Sequence, residues 1–277
     1  MNSTVLFIVR ILLFLNCMIC PSLVLAQTPT WNNLSQSDLD GIMRDFGTNM
    51  KFSSVSPASS LGHLFGFEVG AVVGLTRTPN LDSVAQRVGD SVSELPHVAL
   101  LGALSLPLGL TAEIMLLPKT NLGGGSFHQF GGSFKWTLTD SIPLPFDLAL
   151  KAHYSSGNWS FSQTINNAST GNIPVTGNVS MNSNIFGGEV LASVNLLIFE
   201  PYIGVGTLQA SGNMTVDGTT GTIFDTSFGG SQSGRSTVNG FEYFAGAILK
   251  LAIFHIGLEY SNALGDSRYD AKLSLAF

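Results

Sequence analysis

Alternation of apolar and polar residues dominates this chain. From Phe127 to Thr139 the even positions carry His128, Phe130, Gly132, Phe134, Trp136 and Leu138, while the odd ones carry Gln129, Gly131, Ser133, Lys135 and Thr137. Phe146 to Ser155 repeats the pattern, and so does Phe65 to Thr76, where Phe65, Phe67, Val69, Ala71, Val73 and Leu75 oppose Gly66, Glu68, Gly70, Val72, Gly74 and Thr76. A side-chain period of two is that of a β-strand. Ten segments read this way: 64–76, 95–105, 108–117, 126–139, 146–161, 177–198, 202–213, 236–249, 251–262 and 267–277. A soluble sandwich would hide each apolar face against a second sheet. Here nearly every segment has such a face, and the opposite face holds small residues and charges. That predicts an all-β fold, a transmembrane antiparallel up-and-down β-barrel of about 10 strands, with eight or twelve as alternatives. Closure leaves no backbone amide unpaired in hydrocarbon.

The connections fit this reading. With the first strand entering from the periplasm, the outward loops are 77–94, 118–125, 162–176, 214–235 and 263–266, rich in Gly, Ser, Thr and Asn. The stretch Thr220 to Phe228 has room for a further hairpin. Inward turns fall near Pro107, Pro143, Pro201 and Lys250, and are short. Long outside and short inside is the asymmetry of outer-membrane barrels. The competing membrane architecture, a bundle of helices, needs about 20 uninterrupted apolar residues. The best stretch, Val98 to Leu117, is broken by Ser105, Pro107, Thr111 and Glu113.

Composition narrows the class. The chain has 277 residues, 44% hydrophobic and only 11% charged, with 31 glycines and a net charge of −6. Soluble domains carry about 25% charged residues. Without a basic excess, nucleic acid is not an expected partner. Both cysteines, Cys17 and Cys20, lie in the first 26 residues, which have the layout of a secretory signal: Arg10, an apolar run from Ile11 to Ile19, Pro21, and Val24-Leu25-Ala26 at the cleavage site. Residues 1–26 are therefore expected to be a cleaved signal peptide. The mature chain then has no thiol for a disulfide or a zinc-thiolate site.

Between signal and barrel, residues 27–63 read as a periplasmic amphipathic helix and linker. Ser37 to Met50 places Leu39, Ile42, Met43, Phe46 and Met50 on one side, with Ser37 as N-cap. Residues 52–63, rich in Ser and containing Pro57, form the linker. This places the helix at the periplasmic mouth, and a plug entering the lumen is the alternative. A second short helix, Leu81 to Val88, is expected in the first outer loop. Residues 64–277 are the barrel.

Extending the alternation points Glu68, Glu113, Asp147, Glu189, Glu242, Glu259 and Asp270 into the lumen, with Lys135, Lys151, Arg268, Lys272, His153 and His255. Unpaired burial of charge is costly, so these groups should pair across a narrow interior. The set is read either as a salt-bridged packing of a largely closed lumen or as a polar conduit. Trp136, Trp159, Tyr154 and Tyr260 are assigned to the interface girdle or the strand surface. The five histidines are too scattered in sequence for a metal motif, and neither His128 near Ser126 nor His153 near Asp147 and Ser155 forms a catalytic signature. No cofactor is expected.

The last nine residues, Tyr269 to Phe277, put Tyr269, Ala271, Leu273, Leu275 and Phe277 on one face and Asp270, Lys272 and Ser274 on the other. This resembles the carboxy-terminal β-signal of Gram-negative outer-membrane proteins. The resemblance implies a bacterial outer-membrane location, and outer-membrane lipid and the barrel-assembly machinery as partners. The rest of the chain resembles uncharacterised outer-membrane proteins. The expected role is a small passive or gated conduit or a structural surface protein. The alternatives are a binder or adhesin acting through its outer loops, and a lipid-modifying enzyme. Small solutes or an external ligand at the loops would be the corresponding partners.

Overall fold

The computed structural model describes residues 34–62, 65–87, 91–122, 125–140, 142, 144–166, 174–221 and 228–277. The expected signal peptide, residues 1–26, lies outside them, as do residues 167–173 and 222–227. Helix α1 (Gln36–Met50) precedes strand β1 (Gly66–Arg77), and helix α2 (Pro79–Gln86) follows it. The wall continues with β2 (Glu94–Leu106), β3 (Leu110–Leu122), β4 (Gly125–Thr137), β5 (Asp147–Asn166), β6 (Pro174–Ser193), β7 (Phe199–Gly221), β8 (Phe228–Leu251), β9 (Phe254–Ala263) and β10 (Asp266–Ala276). Every neighbour is antiparallel, and β10 returns to pair with β1, so the sheet closes at ten strands as the alternation predicts. Phe67 and Phe277 each donate an N–H to the other's carbonyl at 2.9 Å, and their rings stack 4.9 Å apart. The final residue thus completes the seam.

The pleat sorts side chains as the period of two requires. Phe67, Val69, Val73, Phe130, Phe134, Trp136, Val205 and Leu258 are exposed on the outer face, and so are Tyr269, Leu273, Leu275 and Phe277. Their strand neighbours Glu68, Lys135, Glu259, Asp270 and Lys272 are buried inside. A closed sheet with an apolar exterior and a charged interior suits a bilayer, where backbone groups pair within the wall and only the outer face meets lipid.

Strand ends are where expectation and structure part. β5 and β6 have 20 residues each, and β7 and β8 have 23 and 24, against 10 in β9. A tilted strand needs about 9–11 residues to cross a membrane. The expected outer loops 162–176 and 214–235 are therefore largely continuous ladder, with Ile165 paired to Val175 and Thr215 to Ser233. Antiparallel pairing satisfies polar backbone groups in water as well as in lipid, so nothing stops the ladder at the membrane surface. The turn expected at Pro201 lies at residues 194–198. Pro201 itself sits within β7, its carbonyl accepting from the Val194 N–H at 3.1 Å. The turn expected at Lys250 lies two residues later, at Ala252-Ile253. Leu264 and Gly265, with φ of +55° and +101°, make the tight β9–β10 connection.

The largest departure concerns the amino-terminal segment. α1 does not rest at the end of the barrel where β1 begins. It lies inside the barrel at the far end, against α2, Ala210, Ala263 and Leu264. Residues 51–62 then run the length of the lumen back to β1. The helix starts one turn-fraction earlier than Ser37: Ser35 is the N-cap, its hydroxyl accepting from the Asp38 N–H while the Asp38 carboxylate accepts from the Ser35 N–H. This reciprocal box satisfies two amides otherwise orphaned at a helix start.

The lipid-facing assignment makes a quantitative demand. Leu258, 64% exposed at the middle of β9, should tolerate arginine poorly. Leu258→Arg is expected to cost about 2–4 kcal/mol in reversible unfolding from lipid vesicles, whereas a soluble barrel would lose almost nothing.

Candidate functional site in the barrel lumen

The wall makes room for the segment by omitting side chains. A Cβ on Gly157 would come within 2.6 Å of Met50 Sδ, on Gly212 within 2.7 Å of Met43 Sδ, and on Gly257 within 2.8 Å of Val55 Cγ1. The apolar stripe of α1 settles into this seat: the Phe46 ring lies 4.5 Å from that of Trp159, which in turn stacks on Phe127 at 5.4 Å. Trp159 therefore faces inward as part of the seat and does not belong to a girdle. Trp136 and Tyr154 are exposed on the outer face.

Polar contacts then tie the segment down from end to end. At the far end Asp38 pairs with Arg87 at 2.6 and 2.9 Å, Asp45 accepts from Asn80 Nδ2 at 2.7 Å and the Leu81 N–H at 2.6 Å, and Thr48 donates to the Ala263 carbonyl at 2.6 Å. Below them Arg268, fully buried, donates through Nη1 to the carbonyls of Thr48, Asn49 and Lys51 at 3.1, 2.8 and 2.9 Å. Its Nε donates to Asp270 at 3.0 Å, and its Nη2 lies 2.6 Å from His97 Nε2. One side chain thus closes off the carbonyls of a helix C-terminus that no intrahelical N–H can reach.

The central layer holds Lys51 against Glu242, Ser53 donating to Glu259 at 3.2 Å, and Tyr202 donating to Glu259 at 2.8 Å. Ser54 and Ser56 donate to Glu113 at 2.9 and 3.0 Å, joined there by Ser133. Lys151 reaches Ser54 at 3.0 Å, stands 3.5 Å from Glu113 and 3.9 Å from Glu189, and covers the Phe52 ring at 5.1 Å. His153 Nε2 is 3.1 Å from Glu189. Toward the near end Lys135 donates to the carbonyls of Pro57 and Ser59 at 2.6 and 3.0 Å, Ser59 donates to Glu200 at 3.1 Å, and Glu68 pairs with Lys272 at 2.9 Å. His255 lies 3.9 Å from Glu68, and Asp147 accepts from Thr139 at 3.2 Å at the rim. Asp147 and His153 are thus directed to different partners. The free space between Lys51, Phe52, Lys151, Glu189 and Glu242 is about 10 Å3, room for one water at most.

Sequence reasoning placed the wall charges but missed their partners on the segment. Lys51, Ser53, Ser54 and Ser56 lie in a stretch that reads as a linker. A signal was present: the alternation sends seven carboxylates inward against four lysines and arginines. A narrow interior needs further cations and donors to pair that excess.

The fold and its contents define a transmembrane β-barrel whose lumen is filled by its own amino-terminal segment. The chain belongs to a family of unknown function, DUF6588, which matches it over residues 33–266. No curated protein matches it. Among solved structures it is similar to the outer-membrane protease OmpT of Escherichia coli, at 12% identity and TM-score 0.41 over 81% of this chain and 100% of that one. It is also similar to the Pseudomonas putida toluene transporter TodX, at 8% and 0.39 over 90% and 99%. A third is Ail, the attachment invasion locus protein of Yersinia pestis, at 9% and 0.32 over 77% and 97%. These likenesses carry no functional argument.

Two consequences are measurable. Arg268→Ala would leave three segment carbonyls without their donor and Asp270 with His97 at 3.2 Å in place of a guanidinium, at an expected cost of about 3–5 kcal/mol in urea unfolding in detergent. The double variant Arg268→Met with Asp270→Leu should cost less than the single one. At the far end the Arg87 guanidinium holds the Asp38 carboxyl down to about 2 from 3.8, with the Ser35 donors assisting. A depressed folded pKa stabilises above the unfolded value and loses that stabilisation as pH falls through the folded one. The Asp38–Arg87 contact should therefore persist at pH 5 and dissolve between about pH 4 and 2. Arg87→Ala should raise the Asp38 titration in carboxyl-detected NMR.

Proposed function

We propose that this protein is a bacterial outer-membrane β-barrel that is shut by its own amino-terminal segment and works as a structural surface protein, not as a passive conduit. In this reading the far end faces outward and residues 1–26 are the export signal. The observation that carries it is the continuous hold of wall on segment, from the Asp38–Arg87 pair through Arg268 and Lys151 to the Lys135 contacts with Pro57 and Ser59. Opening such a path would break many buried hydrogen bonds to charged groups, each worth about 1.5–3 kcal/mol. A solute gate needs a cheaper movement.

A second reading, a binder acting through its outer rim, draws support from β5 to β8. These strands run roughly ten residues past the membrane requirement, about 30 Å of ladder.

Planar-bilayer recording of the refolded mature chain tests the closed state. The intact protein should give no conductance steps, and a folded variant lacking residues 27–60 should give them. Steps from the intact chain would overturn the closed reading. Deleting residues 217–231 and closing the hairpin with a two-glycine turn after the Val216–Gln232 pair should leave heat-modifiable gel migration intact under either reading. Loss of attachment to a host cell or ligand on that deletion would favour the second.

A further inference from the structure

We propose that His153, Glu189 and Glu242 form a binding site for one divalent transition-metal ion of zinc's class, buried in the centre of the lumen. The three residues stand alone on β5, β6 and β8, and one ligand atom from each lies within 4.8 Å of the other two. His153 Nε2 is 3.1 Å from Glu189 Oε1 and 4.0 Å from Glu242 Oε2. Ligands at zinc's usual distances of about 2.0–2.1 Å stand about 3.3 Å apart in a tetrahedral set, so Glu189 already lies at ligand spacing from His153, and Glu242 must swing in by about 0.7 Å to complete the set.

Three observations separate this cluster from an ordinary ion pair. First, all three side chains are more than nine-tenths buried, yet Glu242 Oε2 and His153 Nδ1 have no hydrogen-bond partner, and His153 Nε2 faces Glu189 Oε1 at 3.1 Å without hydrogen-bond geometry. Orphaned polar atoms in a protein interior are costly and call for an explanation such as an ion. Second, the carboxylate oxygens divide their work. Lys51 takes Oε1 of Glu242 and Lys151 approaches Oε2 of Glu189, while the opposite oxygens turn toward His153. The lysines thus orient the ligands as outer partners do in known metal sites. Third, the layer is short of positive charge. Glu113, Glu189, Glu242 and Glu259 face Lys51 and Lys151, an excess of two negative charges, and counting Lys135 beside Glu113 still leaves one. A divalent cation would offset the negative excess that the ammonium groups leave.

One imidazole and two carboxylates form a borderline-hard set that suits zinc better than calcium, which takes six or more oxygens, or copper(I), which prefers sulfur. Bound there, the ion would tie β5, β6 and β8 together across the lumen and fix the carboxylate that receives Lys51. It would act as a staple between wall and segment. The free space beside the site is only about 10 Å3, so the ion would enter as the barrel closes around the segment. The proposal holds whether or not the lumen ever conducts.

The test is refolding of the full mature chain from urea into detergent, with zinc chloride or with a chelator, followed by desalting and metal analysis by mass spectrometry. About one zinc per folded barrel is expected for the wild type, with a higher temperature for loss of heat-modifiable migration than in the chelator. His153→Leu and Glu242→Gln should each lower the zinc content about tenfold or more and abolish the difference in melting. Folded wild type holding less than a tenth of an equivalent would overturn the proposal, as would zinc retained undiminished in both variants. Should neither variant fold, cobalt(II)-loaded wild type decides. Visible bands of a four- or five-coordinate nitrogen and oxygen site support the assignment, and the spectrum of the hydrated ion overturns it.

Discussion

Leaving interior polar groups unpaired is costly in a barrel this narrow, and the rest of the molecule follows from how that constraint is met. Closing ten strands with apolar residues outward sends a full set of carboxylates, lysines and hydroxyls inward. Water could solvate them only if the lumen were wide enough to admit a column of it. Here the chain supplies its own solvent substitute. Segment 51–62 brings backbone carbonyls to Lys135 and Arg268, hydroxyls to Glu113 and Glu259, and one ammonium group to Glu242. Wall and segment each supply partners that the other lacks.

The same constraint accounts for the glycine content. Inward glycines such as Gly131, Gly157, Gly212 and Gly257 are the places where a segment side chain presses against the wall, and a methyl group at any of them would collide with it. Elsewhere the lumen carries large side chains of its own: Tyr202 and Phe244 pack edge to face at 6.3 Å on the near-end side. Glycine and bulk alternate around the interior so that a helix fits at one end and an extended chain through the rest. This arrangement also sets an order on assembly. A segment held by buried hydrogen bonds along its length is more readily enclosed by a closing sheet than threaded through a closed one.

The far end divides into two parts. α1, α2 and the buried Leu264 pack together there, while β5 to β8 extend as paired ladder. A filled lumen leaves the extended rim of β5 to β8 as the surface presented at that end. A buried ion in the central layer would fix the platform on which that rim stands.

The wall was legible in the sequence because alternation is a local property. Each strand announces its two faces through residues two apart, so Phe130, Phe134 and Trp136 on one side and Lys135 and Thr137 on the other needed no partner to be placed. The apolar stripe of α1, from Leu39 to Met50, was legible for the same reason, as was the closing strand that ends in Phe277. The position of α1 was not. An amphipathic helix states that it has an apolar face and leaves open what covers it, and a serine-rich stretch reads as a linker whether it lies in water or in a lumen. The ladder beyond the membrane was also hidden, because polar strands paired in water have the composition of loops. What joins Lys51 to Glu242, Arg268 to the carbonyls of residues 48 to 51, and His153 to Glu189 and Glu242 is closure of the sheet. Only closure brings together residues from strands distant in sequence, so these contacts were decided by tertiary structure, while the pattern that made closure possible was written in the chain.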